Sequence, residues 1–248
     1  MMKRANWYIL LALSLVLLSS VIYSVQVIIF RKPGDTFFYM MQDIAFVPIQ
    51  VLLVSLIIER LLNEREKTAL LKKMNMLVGA FYSEVGSDLI KHCSRFSPDL
   101  SELSRHLVVT QQWSGDDFSK AKFLAGHANP HLDSRSADLA LLRTFLEGKR
   151  GFLLSLLANP NLLEHDSFTD LLWAVFHLLE ELTSRDDFSD LPPADYEHLS
   201  GDMKRAFTQL LAEWLSYMQH LKHDYPYLFS LAVRLNPLDP KATPIIKE

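Results

Sequence analysis

The chain has 248 residues, 49% of them hydrophobic and 22% charged, with a formal net charge of -4 at pH 7. That length accommodates a small membrane module and one globular domain. The charge balance excludes the basic surface a nucleic-acid binder needs. A single cysteine, Cys93, excludes an internal disulfide and fits a reducing compartment.

These averages conceal an uneven distribution, because the long apolar runs all precede Arg60. From Trp7 to Phe30 no residue is charged. As a helix this run is about 36 Å long, enough for a hydrocarbon core of about 30 Å. Arg31-Lys32-Pro33-Gly34 interrupts it with turn chemistry. A second run, Phe37–Ile58, carries one charge, Asp43. The short connection predicts a transmembrane helical hairpin, with spans near 7–30 and 37–58. A cleaved signal peptide is the competing reading of the first span. The apolar run exceeds the usual stretch of about 7–15 residues, and no clean small-x-small site follows it.

Orientation follows the lysines and arginines. Lys3 and Arg4 precede the first span, and Arg60, Arg65, Lys67, Lys72 and Lys73 follow the second. Only Arg31 and Lys32 lie in the loop. Both termini are therefore expected on the cytoplasmic side of the cell's inner (plasma) membrane, in a multi-pass protein. Trp7, Tyr8, Phe37, Phe38 and Tyr39 read as interfacial aromatics. Inside the spans, Gln26 and Asp43 fall at similar depth, and Gln50 near Ser19 and Ser20. These polar residues read as hydrogen-bonding glue between the helices or as an ion path. Two helices enclose no path, which favours glue. Pro48 removes one backbone donor and predicts a kink.

No break follows Ile58, so the second helix is expected to continue as a stalk over 59–93, charged nearly all round at first. From Leu70 a stripe of Leu70, Met74, Leu77, Phe81 and Val85 predicts a helical face that needs a partner, either the remaining chain or a second copy. A helical domain is expected over 94–236. Ser97-Pro98 reads as a helix start, Ser114-x-x-Asp117 as a capping box, and Asn129-Pro130 and Asn159-Pro160 as breaks. Ser167-x-x-Asp170 opens a helix to about Ser184. Leu191-Pro192-Pro193 precedes a long helix from about Ala194 to His223, and Tyr225-Pro226 turns into a last short one. The proline-rich tail 237–248 reads as loose. No convincing strand appears; Leu107–Thr110 is β-like without a partner. The fold class is all-α.

The chain lacks P-loop, GxGxxG, GxSxG, HExxH and CxxC motifs, which points away from an enzyme. Cys93 and His92 are helical neighbours whose side chains diverge, so they make no dyad. Histidines and carboxylates offer the remaining chemistry. On the helix from Ser167, Asp170, His177 and Glu181 share a stripe off the apolar face. On the long helix, Asp202, Glu213 and His220 edge the apolar face of Met203, Phe207, Leu210, Leu211, Trp214, Met218 and Leu221. Paired helices bearing such residues build metal sites in helical bundles. The candidate ligands are His177, Glu181, Glu213 and His220, for iron or zinc. The Glu-x-x-His repeat of di-iron bundles is absent, and a solvated polar face is the competing reading. Glu164-His165-Asp166 reads as capping chemistry. Trp173 and Tyr225-Pro226-Tyr227-Leu228-Phe229 read as core or as a partner surface.

Several runs together carry a resemblance. They are Gln42–Leu52 (QDIAFVPIQVL), Phe81–Gly86 (FYSEVG), Glu164–His177 (EHDSFTDLLWAVFH) and Glu213–Lys222 (EWLSYMQHLK). The sequence from the second span onward resembles a family of uncharacterised two-span membrane proteins of bacteria and archaea. That resemblance implies architecture and transfers no catalytic residue. Two functional readings stand. One is a non-enzymatic interaction or signalling module anchored in the lipid bilayer, binding a protein partner or a second copy of itself. The other is a membrane-anchored metal-binding helical domain acting as a sensor or oxidoreductase.

Overall fold

In a computed structural model, residues 2–97 and 100–246 are described, with side-chain surroundings given outside 2–12, 67–72, 101 and 163–164. Among them every regular element is helical and no strand occurs, Leu107–Thr110 included. The chain divides into two units, Met1–Lys67 and Thr68–Glu248.

The first unit is built from α1 (Met2–Phe30) and the greater part of α2 (Pro33–Phe81). Arg31 ends α1 with a left-handed backbone, φ 52°, and its amide donates to the Val27 carbonyl. Pro33 opens α2, where its fixed φ suits the first helical position. The connection is thus Arg31-Lys32, shorter than the expected four-residue turn. Both helices carry stretches long and apolar enough to cross a membrane, Leu13–Phe30 and Pro33–Glu66, and apart from Thr36 neither stretch has a buried side chain. Ser20 and Ser24 return their hydroxyls to the carbonyls of Val16 and Ser20. Among the described residues a hydrogen bond links the helices, the Tyr23 hydroxyl donating to Asp43 Oδ2 at 3.0 Å. The expected polar set Gln26, Asp43 and Gln50 is therefore joined at Asp43 by Tyr23, one turn before Gln26. Trp7 and Tyr8 lie outside the described side chains, while Phe37, Phe38 and Tyr39 are exposed.

The second unit begins within α2. Met74, Val78 and Phe81 are buried, and a π-helical turn (Tyr82–Gly86) and α3 (Ser87–Ser94) continue the burial with Val85, Leu89, Ile90 and Cys93. Residues 68–93 are thus part of the domain, not of a stalk; the partner that their stripe requires is the domain core. Leu70 of that stripe is outside the described side chains. The π turn is tight: a Cβ on Gly86 would fall 2.6 Å from Tyr82 Cδ1 and 2.8 Å from Phe81, so only glycine fits.

The remaining helices are α4 (Leu100–Leu107), α5 (Gly115–His127), α6 (Leu139–Leu157), α7 (Asp166–Thr183), α8 (Pro193–Asp224) and α9 (Pro226–Arg234). Their starts follow side-chain chemistry. Ser114 and Asp117 form the expected capping box of α5, and Asp138 caps α6. His165 caps α7 by accepting from the Phe168 amide, so the cap lies two residues before the Ser167 that Ser167-x-x-Asp170 suggests. The start expected at Ser97-Pro98 falls partly outside the described residues; Ser97 itself is buried. The spine is α8, which packs against α3, α5, α7 and α9, while α6 covers α7. One continuous core joins all of them. The tail is held as far as Pro244. Leu238 is buried, the Thr243 amide donates to the Arg234 carbonyl, and Arg234 Nε donates to the Pro244 carbonyl.

Candidate metal centre

The site arises from how α7 and α8 bury their apolar faces. On α7, Phe168, Leu171, Leu172, Val175, Leu178, Leu179 and Leu182 are buried. On α8 the buried face includes Leu199, Met203, Phe207, Leu210 and Leu211. The helices run antiparallel, joined by residues 184–192. Side chains at i and i+4 share a helix face. His177 and Glu181 therefore project together from α7, and His198 and Asp202 from α8. The antiparallel register sets Glu181 opposite His198 and His177 opposite Asp202.

These four residues converge at the seam, each offering a ligand atom within 4.8 Å of all the others. His177 Nε2 lies 3.4 Å from Asp202 Oδ2 and 3.8 Å from Glu181 Oε1. His198 Nε2 lies 3.3 Å from Asp202 Oδ2 and 3.5 Å from Glu181 Oε2. The Asp202 side chain is only 3% exposed, whereas His177 and His198 are 45% and 52% exposed. The centre thus has a buried carboxylate floor and an imidazole rim open to water.

An arginine holds the outer side of each carboxylate. Arg205 Nη1 donates to Asp202 Oδ1 at 3.0 Å. Arg185 Nη1 donates to Glu181 Oε2 at 2.8 Å, and the same guanidinium makes two 2.7 Å bonds to Asp195. The Arg185 bond, more than any other contact, holds the Glu181 carboxyl below its usual range and so keeps it ionised. Arg185 in turn holds Asp195 low. Asp202 Oδ2, facing both imidazoles, is buried without a hydrogen-bond donor. A buried acceptor left in that state costs free energy unless a cation or donor satisfies it.

Of the four ligands expected from sequence, the structure brings His177 and Glu181 together and places Glu213 and His220 elsewhere. Glu213 is about 16 Å beyond Asp202 along α8, and His220 about 27 Å. Glu213 is buried close to Tyr82 and Lys122, acting on the charge of both. His220 Nδ1 is 2.7 Å from Asp224 Oδ2 and 3.2 Å from the Asn75 amide nitrogen, with its ring edge-on to Tyr225. Asp170 stays exposed on α7. The residues of this cluster that sequence reasoning missed are His198 and, as a candidate ligand, Asp202. Their signal was available: a histidine followed four residues later by a carboxylate occurs in both helices.

Comparison with known proteins gives the chain's kinship. The family model described as "Uncharacterized protein MJ1433, C-terminal helical domain" matches residues 70–234, and "MJ1433, N-terminal helical domain" matches residues 2–62. The chain belongs to the MJ1433 family. Over 247 residues it is 42% identical to "Uncharacterized protein MJ1433" of Methanocaldococcus jannaschii, covering 100% of this chain and 99% of that protein. No solved structure matches it. The two family segments correspond to the two structural units, which divide between Lys67 and Thr68. In the MJ1433 family member described here, the metal candidate lies wholly within the C-terminal helical domain.

Proposed function

We propose that this protein is a membrane-anchored helical domain that holds one divalent transition-metal ion between α7 and α8. The observation that carries this reading is the buried Asp202 Oδ2, which lacks a hydrogen-bond donor and faces two imidazole nitrogens at 3.3 and 3.4 Å. Two histidines and two carboxylates form a donor set that first-row divalent ions favour. The two carboxylate charges match the charge of the ion. In this reading the α1–α2 hairpin is the anchor in the lipid bilayer, and the lysine and arginine distribution supports a cytoplasmic side for both termini and the helical domain.

The test is elemental analysis of the full-length protein, purified in mild detergent without a histidine tag or chelator. One equivalent of metal is expected, absent from Asp202→Asn and from His198→Ala but retained in His220→Ala and Glu213→Gln. A protein that holds no metal after reloading with zinc, iron, cobalt or manganese would falsify the reading.

A second reading, an interaction module, is favoured by Trp173. Its side chain is 58% exposed on α7, one turn from His177 and edge-on to Phe176. Exposed tryptophans anchor interfaces. Trp173→Ala is expected to remove a protein that co-purifies with the wild type and to leave metal content unchanged.

A further inference from the structure

Resting on that metal reading, we infer that the centre is a closed, four-coordinate site built for Zn2+, with Glu181 and Asp202 each ligating through one oxygen. The inference comes from spacing and from the two arginines. Bonds of about 2.1 Å to a tetrahedral ion put the ligand atoms about 3.4 Å apart, whereas adjacent octahedral ligands are about 3.0 Å apart. Three separations involve oxygens that no arginine occupies. His177–Asp202 is 3.4 Å, His198–Asp202 is 3.3 Å and His177–Glu181 Oε1 is 3.8 Å. The first and third reach or exceed the tetrahedral edge, the second falls about 0.1 Å short of it, and all three are longer than the octahedral edge.

Arginines hold the other two oxygens. Arg205 binds Asp202 Oδ1, and Arg185 binds Glu181 Oε2 while itself fixed by two bonds to Asp195. Neither carboxylate is free to chelate with both oxygens, the means by which carboxylates raise an ion's coordination number toward six or more. Such outer partners also set the direction of the ligating oxygen. Hard ions that need six or more oxygens are poorly served by two imidazoles. Four protein donors complete the shell of a tetrahedral ion and leave no vacant position, the pattern of a structural or sensing site rather than a hydrolytic one. Arg185 and Arg205 are thus positioning residues that determine geometry and metal choice.

The experiment uses full-length protein in detergent, stripped of metal and titrated separately with Co2+, Ni2+ and Zn2+. Tetrahedral Co2+ gives intense visible absorption bands, and octahedral Co2+ gives weak ones. We expect intense bands saturating at one equivalent and bleached by one equivalent of Zn2+. Co2+ should bind about tenfold tighter than Ni2+, inverting the ordinary order in which Ni2+ exceeds Co2+. Arg205→Ala should weaken the bands and reduce that inversion without changing helix content. Weak bands with Ni2+ preferred over Co2+ would overturn the four-coordinate inference and leave the metal reading standing. Absence of binding by any of the three ions would remove both. Intense bands that persist in both His177→Ala and His198→Ala would show that the ion sits elsewhere, which also overturns the proposal. His198 is half exposed, so its alanine variant tests the site even if Asp202→Asn does not fold.

Discussion

The two units place comparable side chains in opposite environments. In the first, Leu17, Ile28, Phe38, Ile49 and Leu56 are all more than half exposed. In the second, Phe81, Leu146, Phe168, Leu178 and Phe207 are fully buried. A single helix, α2, makes the change, exposing its apolar residues as far as Leu62 and burying Met74, Val78 and Phe81. Hydrophobicity alone therefore does not distinguish the two settings; what does is periodicity. An all-round apolar helix suits lipid, and a one-sided stripe suits a core. The first unit leaves its apolar side chains uncovered, while the second supplies its own cover.

That contrast breaks most visibly on truncation. Residues 68–248 alone are expected to stay in the supernatant without detergent, with the circular dichroism of a helical protein. The full chain is expected to sediment with membranes and to need detergent. A truncated domain that still requires detergent would mean that the second unit also presents a lipid-facing surface.

Within the domain the next largest effect is a cavity. Phe207→Ala removes a fully buried ring and should cost about 3–5 kcal/mol. Leu17→Ala, on an exposed apolar surface, should leave the domain's stability unchanged. Cys93 supplies the readout. Burial pushes its thiol pKa up to about 12, so at pH 8 it reacts only when the domain opens. Phe207→Ala should raise the thiol-labelling rate by roughly a hundred- to a thousandfold or more, and Leu17→Ala should not.

The same contrast explains how much the sequence disclosed. Both apolar N-terminal helices, the all-α class, the α5 capping box and the apolar faces of α7 and α8 were legible, because each depends on residues close together in the chain. The metal candidate was half legible. His-x-x-x-carboxylate pairs occur at His177/Glu181, His198/Asp202 and His220/Asp224, and nothing local ranks them. The antiparallel register of α7 on α8 selects the first two. It puts the third about 33 Å along α8 from His198. Residues 68–93 were misread as a stalk for the same reason: their partners lie on α7 and α8, far along the chain, and Phe81 of the stripe packs edge-on against Phe168. Tyr82 shows it, donating its hydroxyl to the Leu210 carbonyl at 2.8 Å.

That bond sharpens the boundary between hairpin and domain. Burial raises the Tyr82 phenol well above its usual range, so it remains a donor at any pH that the fold tolerates. Tyr82→Phe should cost about 1–2 kcal/mol in denaturant melts. An unchanged melt would imply that the π-helical turn is held by packing alone.

The smallest effect lies at the α5 capping box, and it carries a pH signature. The Ser114 amide and hydroxyl both donate to Asp117 Oδ2, at 2.7 and 2.8 Å, and hold that carboxyl below its usual range. The folded state therefore binds the Asp117 proton less readily than the unfolded state. The stability it contributes is full above the unfolded value of about 3.9 and is lost as pH falls through the lower folded value. Ser114→Ala removes the hydroxyl that accepts from the Asp117 amide and the hydroxyl donor to its carboxylate, and keeps the amide donor. At neutral pH the loss should be about 1 kcal/mol. Below about pH 4 the gap between wild type and variant should narrow, because the protonated carboxyl no longer draws on the missing donor. It should not close, since the bond from the Asp117 amide to the Ser114 hydroxyl carries no charge to titrate. Chemical denaturation of both proteins at pH 7 and pH 3 measures the two components separately, and a gap that widens in acid would reverse the assigned sign.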